Sequence, residues 1–293
     1  MQASVFTEIM LPLALAFIMF GMGLGLQRQD FTRLSQSPKL VIAGLFGQIV
    51  LLPAIAFALV FVFSLPAEYA VGLIILAACP GGTMSNVLSQ LAKANLALSI
   101  TLTAFATLIC IFTSPLLIVG SLQYFVPERA NDVSLFNISL SILLITLVPV
   151  GLGMLMRVRF DKQAQRLLPY FQRLSMTFLV VMVIAIVVKE WQALNLVLAS
   201  LFWSTLLLNV LATAVGVFLA VLAGGDLAGR LTLGIEVGIQ NASMAMLIAI
   251  SLLNYSELAV PAGIYGLTMY LGTGILLLVN KSAKRRSAAA ISS

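Results

Sequence analysis

Long, almost uncharged apolar runs recur from one end of this chain to the other, and they limit what it can fold into. Each run is close to the roughly 20 residues that an α-helix needs to cross about 30 Å of hydrocarbon. Of the 293 residues, 61% are hydrophobic and 9% are charged, whereas a soluble domain carries about 25% charged residues. Too little polar surface is left to cover a water-soluble fold, so the sequence predicts an integral protein of the lipid bilayer.

The runs predict about nine transmembrane helices in an all-α membrane protein, with residues 1–293 forming a single unit. A membrane β-barrel would show alternating segments of about ten residues, and continuous apolar runs exclude it. The predicted helices cover residues 8–26, 40–63, 70–91, 96–120, 136–156, 174–188, 196–223, 230–253 and 260–280.

Basic residues lie almost entirely in the loops on one side of this arrangement. Of the 16 Lys and Arg residues, only Arg129 and Lys189 fall on the other side. The positive-inside rule therefore places the N-terminus outside and the C-terminus in the cytoplasm of a bacterial cell membrane. Since this topology accounts for the net charge of +6, nucleic acid is not a predicted partner. The basic segment 157–173 is expected to be a cytoplasmic loop, the alternative being an amphipathic helix that binds lipid.

The polar chemistry needed for catalysis is nearly missing. The chain has no histidine, and its two cysteines, Cys79 and Cys110, lie inside apolar runs. A transition-metal site, a disulfide framework and a histidine-dependent nucleophile are therefore not indicated. A membrane-embedded enzyme would have to use Ser85 or Cys79 with Glu236 as its base, so the sequence does not predict an enzyme.

One acidic residue, Glu236, lies well inside a predicted span. An unpaired carboxylate at that depth costs a few kcal/mol or more, and no Lys or Arg lies in the spans to pair with it. We expect a monovalent cation held by this carboxylate and neutral oxygen atoms. The alternative is a protonated Glu236 that is hydrogen-bonded to a neighbouring helix.

Two of the predicted spans contain residues that interrupt a helix. The third span carries Cys-Pro-Gly-Gly-Thr-Met-Ser-Asn at 79–86, and the eighth carries Gly238 followed by Gln240, Asn241 and Ser243. Unwound backbone at this depth exposes carbonyls for cations and N–H groups for anions. Because the two breaks are five spans apart, spans one to four are expected to repeat in inverted orientation as spans six to nine.

These segments, 79–86 and 236–241, resemble the signature segments of the bile acid:sodium symporter family, and Gln48, Ser99 and Thr103 match in order and spacing. The resemblance implies a core domain of about 40–125 and 196–280, with two broken, crossing helices, and a panel domain of about 8–26 and 136–190. It also implies two sodium sites and an adjoining substrate site. The first sodium site would comprise Ser85, Asn86, Ser99, Thr103 and Glu236. The second would comprise Gln48, the Glu236 carboxylate, Gln240 and the backbone carbonyls of Val237 and Ile239. Substrate would lie beside Thr83 and Asn241, with Tyr270 in the last helix.

The function implied is symport: two sodium ions would enter with one organic anion by alternating access. The anion would be bile-acid-like or a small carboxylate such as pantoate. An arsenite-type exporter of the same superfamily is the alternative transporter, because Cys79 could meet a thiophilic oxyanion at the broken helix. The resemblance leaves the oligomeric state and the identity of the substrate open.

Overall fold

The computed structural model describes residues 10–32, 37–130 and 134–292, so residues 8 and 9 of the first predicted helix lie outside the described residues. Within these ranges every regular element is a helix, which confirms the all-α prediction. The one β-type contact there is an isolated antiparallel bridge between Gly81 and Gln240.

The described residues up to 130 form eight α-helices, with a π-helical turn between the third and the fourth. The π turn, Gly47–Leu51, joins α3 to α4 in one continuous rod. The helices are α1 (Leu11–Gly25), α2 (Arg28–Thr32), α3 (Pro38–Phe46), α4 (Leu52–Val62), α5 (Ala67–Ala78), α6 (Thr83–Leu91), α7 (Leu96–Phe125) and α8 (Pro127–Ala130).

The described residues 134–292 form seven α-helices with two further π turns. One π turn, Leu143–Leu147, joins α9 to α10, and the other, Ile248–Leu252, extends α14; a 3₁₀ turn, Ser256–Ala259, leads into α15. The helices are α9 (Leu135–Ile142), α10 (Val148–Arg159), α11 (Asp161–Lys189), α12 (Trp191–Leu222), α13 (Leu227–Gly238), α14 (Ala242–Leu247) and α15 (Val260–Ser292).

All nine predicted spans contain helix. Six stretches of the described chain are long and apolar enough to cross a membrane by themselves, and three further apolar helices are shorter. The six are Pro38–Val62, Leu96–Phe125, Leu135–Arg159, Asp161–Lys189, Leu194–Leu222 and Ser256–Asn280; the shorter three are Leu11–Gly25, Ala67–Ala78 and Ala242–Leu252. A membrane protein is thereby supported, while the count of nine spans stays a prediction.

The prediction of a loop at 157–173 is wrong, because this segment is helical. Helix α10 covers residues 157–159 and α11 covers residues 161–173, with the non-helical Phe160 between them. Ala164, Leu168 and Phe171 recur at i, i+4 and i+7 and so share one helical face. Ala164 is fully buried, and the ring of Phe171 packs 5.4 Å from that of Phe20 in α1. This apolar stripe folds the segment against α1 despite its charges.

The two interrupted helices are the most deeply buried part of the molecule. Residues 69–78 of α5 and residues 231–249 of α13 and α14 are buried without a break. Helices α9 to α11, in contrast, expose large apolar side chains such as Phe136, Leu152 and Val181. Exposed apolar surface of this kind is what a bilayer covers, so the polar breaks lie at the centre and the apolar helices outside.

Helices α1 and α10 cross with their backbones in contact. A β carbon added to Gly23 would overlap the carbonyl oxygen of Val150, and one added to Gly153 would overlap that of Phe20. In a membrane, small residues at such crossings let helices approach and gain van der Waals contact. The close contact between α1 and α10 therefore requires glycine at both positions.

We expect Gly153→Ala to destabilise the protein by about 1–3 kcal/mol, because overpacked contacts cost that much. The measurement is the melting temperature of the protein purified in detergent. Gly151→Ala is the matched control on the same helix, since a β carbon there meets nothing within 4 Å. Equal melting temperatures for the two variants would contradict the backbone contact.

Candidate functional site

The two interrupted helices meet at their breaks. Helix α5 gives way to α6 over residues 79–82, and α13 gives way to α14 over residues 239–241. The backbone N–H of Asn241 donates to the carbonyl oxygen of Pro80 over 3.0 Å. Together with the bridge described above, this hydrogen bond ties the two breaks into one antiparallel crossing.

The residues at the first break explain why the helix stops there. Pro80 has no amide hydrogen and cannot continue α5. Gly81 then passes through a crowded point, where an added β carbon would lie 2.8 Å from Nε2 of Gln48 and 3.3 Å from Oε2 of Glu236. Only glycine leaves space for these two side chains to approach the backbone of the break.

Three side chains outside the predicted site donate hydrogen bonds to backbone carbonyls that have no helical partner at the breaks. Ser114 donates to the carbonyl of Ala78 over 2.5 Å, at the end of α5. Asn209 Nδ2 and the Tyr265 hydroxyl both donate to the carbonyl of Gly238, over 2.6 and 2.8 Å, at the end of α13. A polar side chain in an apolar run is the only signal that marks Ser114 and Asn209 in the sequence. Tyr265 carries no local signal.

Glu236 lies on the last turn of α13, and its carboxyl group points at α7. One carboxyl oxygen accepts a hydrogen bond from Ser99, and the other accepts one from Thr103 over 3.1 Å. Ser85 lies beside the same carboxyl group. All four side chains are at most 1% exposed. The crossing thus holds a carboxyl group surrounded by hydroxyls and shielded from solvent.

The cluster of side chains around Glu236 contains more hydrogen-bond acceptors than its hydroxyl groups have protons to donate. Ser99 Oγ lies 2.9 Å from Oδ1 of Asn86 as well as near Glu236, and Thr103 Oγ1 lies 3.1 Å from the carbonyl of Ser99 as well as near Glu236. Each hydroxyl has one proton to donate. The Asn86 amide can turn its nitrogen towards Ser99, but Thr103 still faces two acceptors. A cation or a proton on Glu236 would relieve the excess.

The second predicted ion group surrounds the backbone of the other break. Gln48 Nε2 donates to the backbone carbonyl of Glu236 over 3.2 Å, and Gln240 Nε2 donates to that of Val237 over 3.0 Å. Oε1 of Gln240 is buried and has no hydrogen-bond partner in the described part of the chain. The carbonyl oxygen of Ile239 faces Gly81 and would lie 3.5 Å from a β carbon added to that glycine.

The three predicted substrate residues, Thr83, Asn241 and Tyr270, line one cavity. Its volume is about 30 Å³, which is room for one or two water molecules. Oδ1 of Asn241 accepts a hydrogen bond from the backbone N–H of Met244 over 3.0 Å and so caps α14. The Tyr270 hydroxyl lies 3.6 Å from the sulfur of Met176 on α11. The cavity therefore lies between the crossing and the α1–α11 side of the molecule.

A larger cavity of about 120 Å³ adjoins the first, and Thr83 and Met22 line both. Its polar lining includes Asn86 and two glutamines that sequence analysis does not single out, Gln90 of α6 and Gln172 of α11. Glutamines in an amphipathic helix face carry no signal that separates them from ordinary polar surface. Together the cavities reach along α6 from the crossing to its end.

Comparison with known proteins gives a consistent set of relatives. The model of the Sodium Bile acid symporter family matches residues 12–199. An uncharacterized sodium-dependent transporter of Bacillus subtilis, YocS, is 35% identical over 99% of this chain and 89% of its own length. The probable sodium/metabolite cotransporter BASS2 of rice chloroplasts is 29% identical, and the human ileal sodium/bile acid cotransporter is 25% identical. The matches cover 89% and 82% of this chain, and 61% and 69% of those two proteins respectively.

We expect Asn209→Ala to lower stability by about 1–2 kcal/mol, because it removes two buried hydrogen bonds. One is the bond to Gly238, and the other is donated by the backbone N–H of Gly272 to Oδ1 of Asn209 over 2.9 Å. Asn195→Ala is the control, since Asn195 is exposed on the same helix. Thermal unfolding in detergent measures both. The same melting temperature in the two variants would mean that Asn209 does not support the break.

Proposed function

Because the chain belongs to the sodium bile acid symporter family, we propose that it imports an organic anion together with two sodium ions across the cell membrane. The family is one of sodium-coupled transporters, so the enzyme alternative is set aside. The observation that carries the proposal is the buried Glu236 carboxyl group with its excess of oxygen acceptors at the helix crossing. Such a group suits a small, hard cation.

The first sodium ion would be held by the oxygen atoms around Glu236 and α7. These are the side-chain oxygens of Ser85, Asn86, Ser99, Thr103 and Glu236. In the structure several of them hydrogen-bond to one another or to nearby carbonyls. An ion entering between them would accept their lone pairs and allow the hydroxyl protons to turn outward. Because the site is buried, the low dielectric around the ion screens its charge little, and its electrostatic interactions are stronger than in water.

The second sodium ion would lie on the other side of the Glu236 carboxylate, at the second break. Its ligands would be Gln48, Gln240 and the carbonyls of Val237 and Ile239 as well as that carboxylate. The unpartnered Oε1 of Gln240 is the observation that supports this site, since a buried acceptor without a donor is rare. Two sodium ions that share one carboxylate leave a net positive charge, which favours the binding of an anion nearby.

The anion would bind beside Thr83 and Asn241, with Tyr270 closing the site from the last helix. Both residues stand where a helix restarts, and the positive end of a helix dipole favours negative charge. Some N–H groups there are already paired, such as that of Ser85 with the carbonyl of Gly82. The anion would therefore gain modest affinity from the protein and depend on the adjacent sodium ions. Bile-acid-like compounds and small carboxylates such as pantoate fit this requirement.

Alternating access would come from a panel domain of about 8–26 and 136–190 rocking against a core domain of about 40–125 and 196–280. The small cavity supports this division, because Met19 and Met176 line it from the proposed panel while Thr83 and Asn241 line it from the proposed core. In this proposal spans one to four and six to nine are inverted repeats, and the core contains the two broken helices that cross. The N-terminus would face outside and the C-terminus the cytoplasm, by the distribution of Lys and Arg.

Symport of two sodium ions with one monovalent anion moves one net positive charge per cycle. A membrane potential of 100 mV then contributes about 2.3 kcal/mol, which is roughly a 50-fold accumulation before the sodium gradient is added. Electrical and chemical gradients would both drive import.

We expect Glu236→Gln to abolish sodium-dependent uptake, because the residue contacts both proposed sodium sites and is their only formal charge. Uptake of labelled anion into proteoliposomes with a sodium gradient measures the effect, and melting temperature checks that the variant is folded. Glu128→Gln is the matched control, since that glutamate is exposed outside the spans. Sodium-driven uptake by Glu236→Gln at the control's rate would refute the mechanism.

We further expect a carboxylate substrate to stabilise the purified protein against heating in sodium and much less in potassium. The reason is that the anion relies on the bound sodium ions rather than on an arginine or lysine. Pantoate and a steroid conjugate are the probes, with their amide or ester analogues as neutral controls. Equal stabilisation by the neutral analogues, or by the acids in potassium, would show that the two kinds of site are not coupled.

A further inference from the structure

An open cavity of about 270 Å³ lies away from the helix crossing, where the turn after α1 meets the corner between α10 and α11. Its lining is mostly polar and includes two arginines: Gln27, Arg28, Gln29, Arg157, Val158 and Asp161. This is the side of the molecule that carries most of the Lys and Arg residues. None of these residues takes part in the proposed transport site.

Arg157 is the least usual of them. Its side chain is only 11% exposed, and its Nε lies 3.1 Å from Oδ1 of Asp161. The two charges are thus close, but the Nε hydrogen is not directed at the carboxylate, and both Nε and Nη1 are buried without a hydrogen-bond partner in the described ranges. Buried donors on a charged group are rarely left unpaired. This guanidinium therefore has N–H groups for which the described residues supply no acceptor.

The opposite wall of the cavity is held in place by its backbone. The backbone N–H of Gln27 donates to Oδ2 of Asp30 over 2.7 Å, and the Thr101 hydroxyl of α7 donates to the carbonyl of Asp30 over 3.0 Å. These contacts fix the turn that carries Arg28 and Gln29. A second guanidinium and two amide side chains are thereby presented to the cavity by a rigid segment, at little entropic cost.

The charges of the cavity favour a ligand that is anionic and rich in oxygen. Among the lining residues two are arginines and one is a carboxylate, Asp161, whose side chain is 56% exposed; the buried Asp30 lies behind the turn and accepts the N–H of Gln27. Planar guanidinium groups hydrogen-bond phosphate oxygens in pairs, and amides add donors. Leu155 and Phe160, which lie close in sequence to the lining residues Arg157, Val158 and Asp161, are large apolar residues that are 60% and 51% exposed. A ligand with a phosphate head and an apolar tail would satisfy both surfaces.

We propose that this cavity is a binding site for a phosphate group, held by Arg28 and Arg157 with the amides of Gln27 and Gln29. The group is that of an anionic phospholipid headgroup or of a free phosphate compound. The observation behind it is a cavity that contains a buried guanidinium with two unpaired N–H groups. A phosphate there would join the end of α1 to the corner of α10 and α11. It would act as a bound lipid or effector, not as cargo.

The test measures binding to the full-length protein purified in a neutral detergent. The probes are dioctanoyl phosphatidylglycerol, dioctanoylglycerol, which lacks the phosphate, and inorganic phosphate. Native mass spectrometry counts the bound molecules, and the melting temperature reports binding independently. We expect one phosphatidylglycerol per chain at concentrations where dioctanoylglycerol does not bind.

The variants are Arg157→Gln and Arg28→Gln, each of which should weaken phosphatidylglycerol binding roughly tenfold by removing a charge-assisted contact. Arg28 is exposed on its turn, so its variant keeps the test valid if Arg157→Gln does not fold. Arg166→Gln is the matched control, because Arg166 is exposed in the same basic segment and does not line the cavity. It should bind as the unaltered protein does.

Inorganic phosphate binding that both variants weaken would assign the site to a soluble phosphate compound and support the proposal. Three results would overturn it. One is equal binding of phosphatidylglycerol by all variants, another is equal binding of dioctanoylglycerol, and the third is the failure of every phosphate probe to bind.

Discussion

The backbone groups released by two interrupted helices have to be paired inside this protein, because hydrocarbon offers them no partner. Each break meets this requirement by the same means: it uses the other break and a few side chains of neighbouring helices. The carbonyl of Pro80 accepts from Asn241, while those of Ala78 and Gly238 accept from α7 and from α12 and α15. The surrounding helices are therefore positioned by the crossing.

The pairing of the two breaks determines where the carboxyl group of Glu236 lies. Helix α13 ends within three residues of it, so the carboxyl group lies beside the antiparallel crossing and faces α7 across the start of α6. Ser99 and Thr103 are four residues apart on α7 and so present their hydroxyls on one face. The oxygen cluster thus combines one regular helix with the end of a broken one. A continuous α13 would carry the next residues past the site and leave the second set of carbonyls paired within the helix.

The parts of this site that sequence reasoning reaches are those that stand out from an apolar background. Glu236 and the Pro80–Gly82 segment do so, and Ser99 and Thr103 become meaningful once their spacing is combined with the family resemblance. Tyr265 cannot be found in this way, because its role depends on where the packing of α15 puts its hydroxyl. The segment 157–173 is a different kind of miss: its charges favour a loop, but its apolar period of i, i+4 and i+7 forms a helix on α1. Periodicity outweighs charge when the apolar stripe has a partner to pack against.

If the proposed cation and anion sites are correct, they would be coupled because few residues separate them. Helix α6 carries Thr83 at the cavity and Asn86 at the oxygen cluster, one turn apart, while Gln240 and Asn241 are neighbours at the other break. A cation that pulls the side chains of the first turn of α6 towards Glu236 alters the same turn that faces the anion. The effect would need no long pathway, because both proposed sites share one short helix and one short extended segment. Since α6 begins and α13 ends at the crossing, an ion bound there would order both, and the anion would meet helix ends that are already fixed. Coupling free energy of this kind is reciprocal, so the anion must in turn hold the cations more tightly.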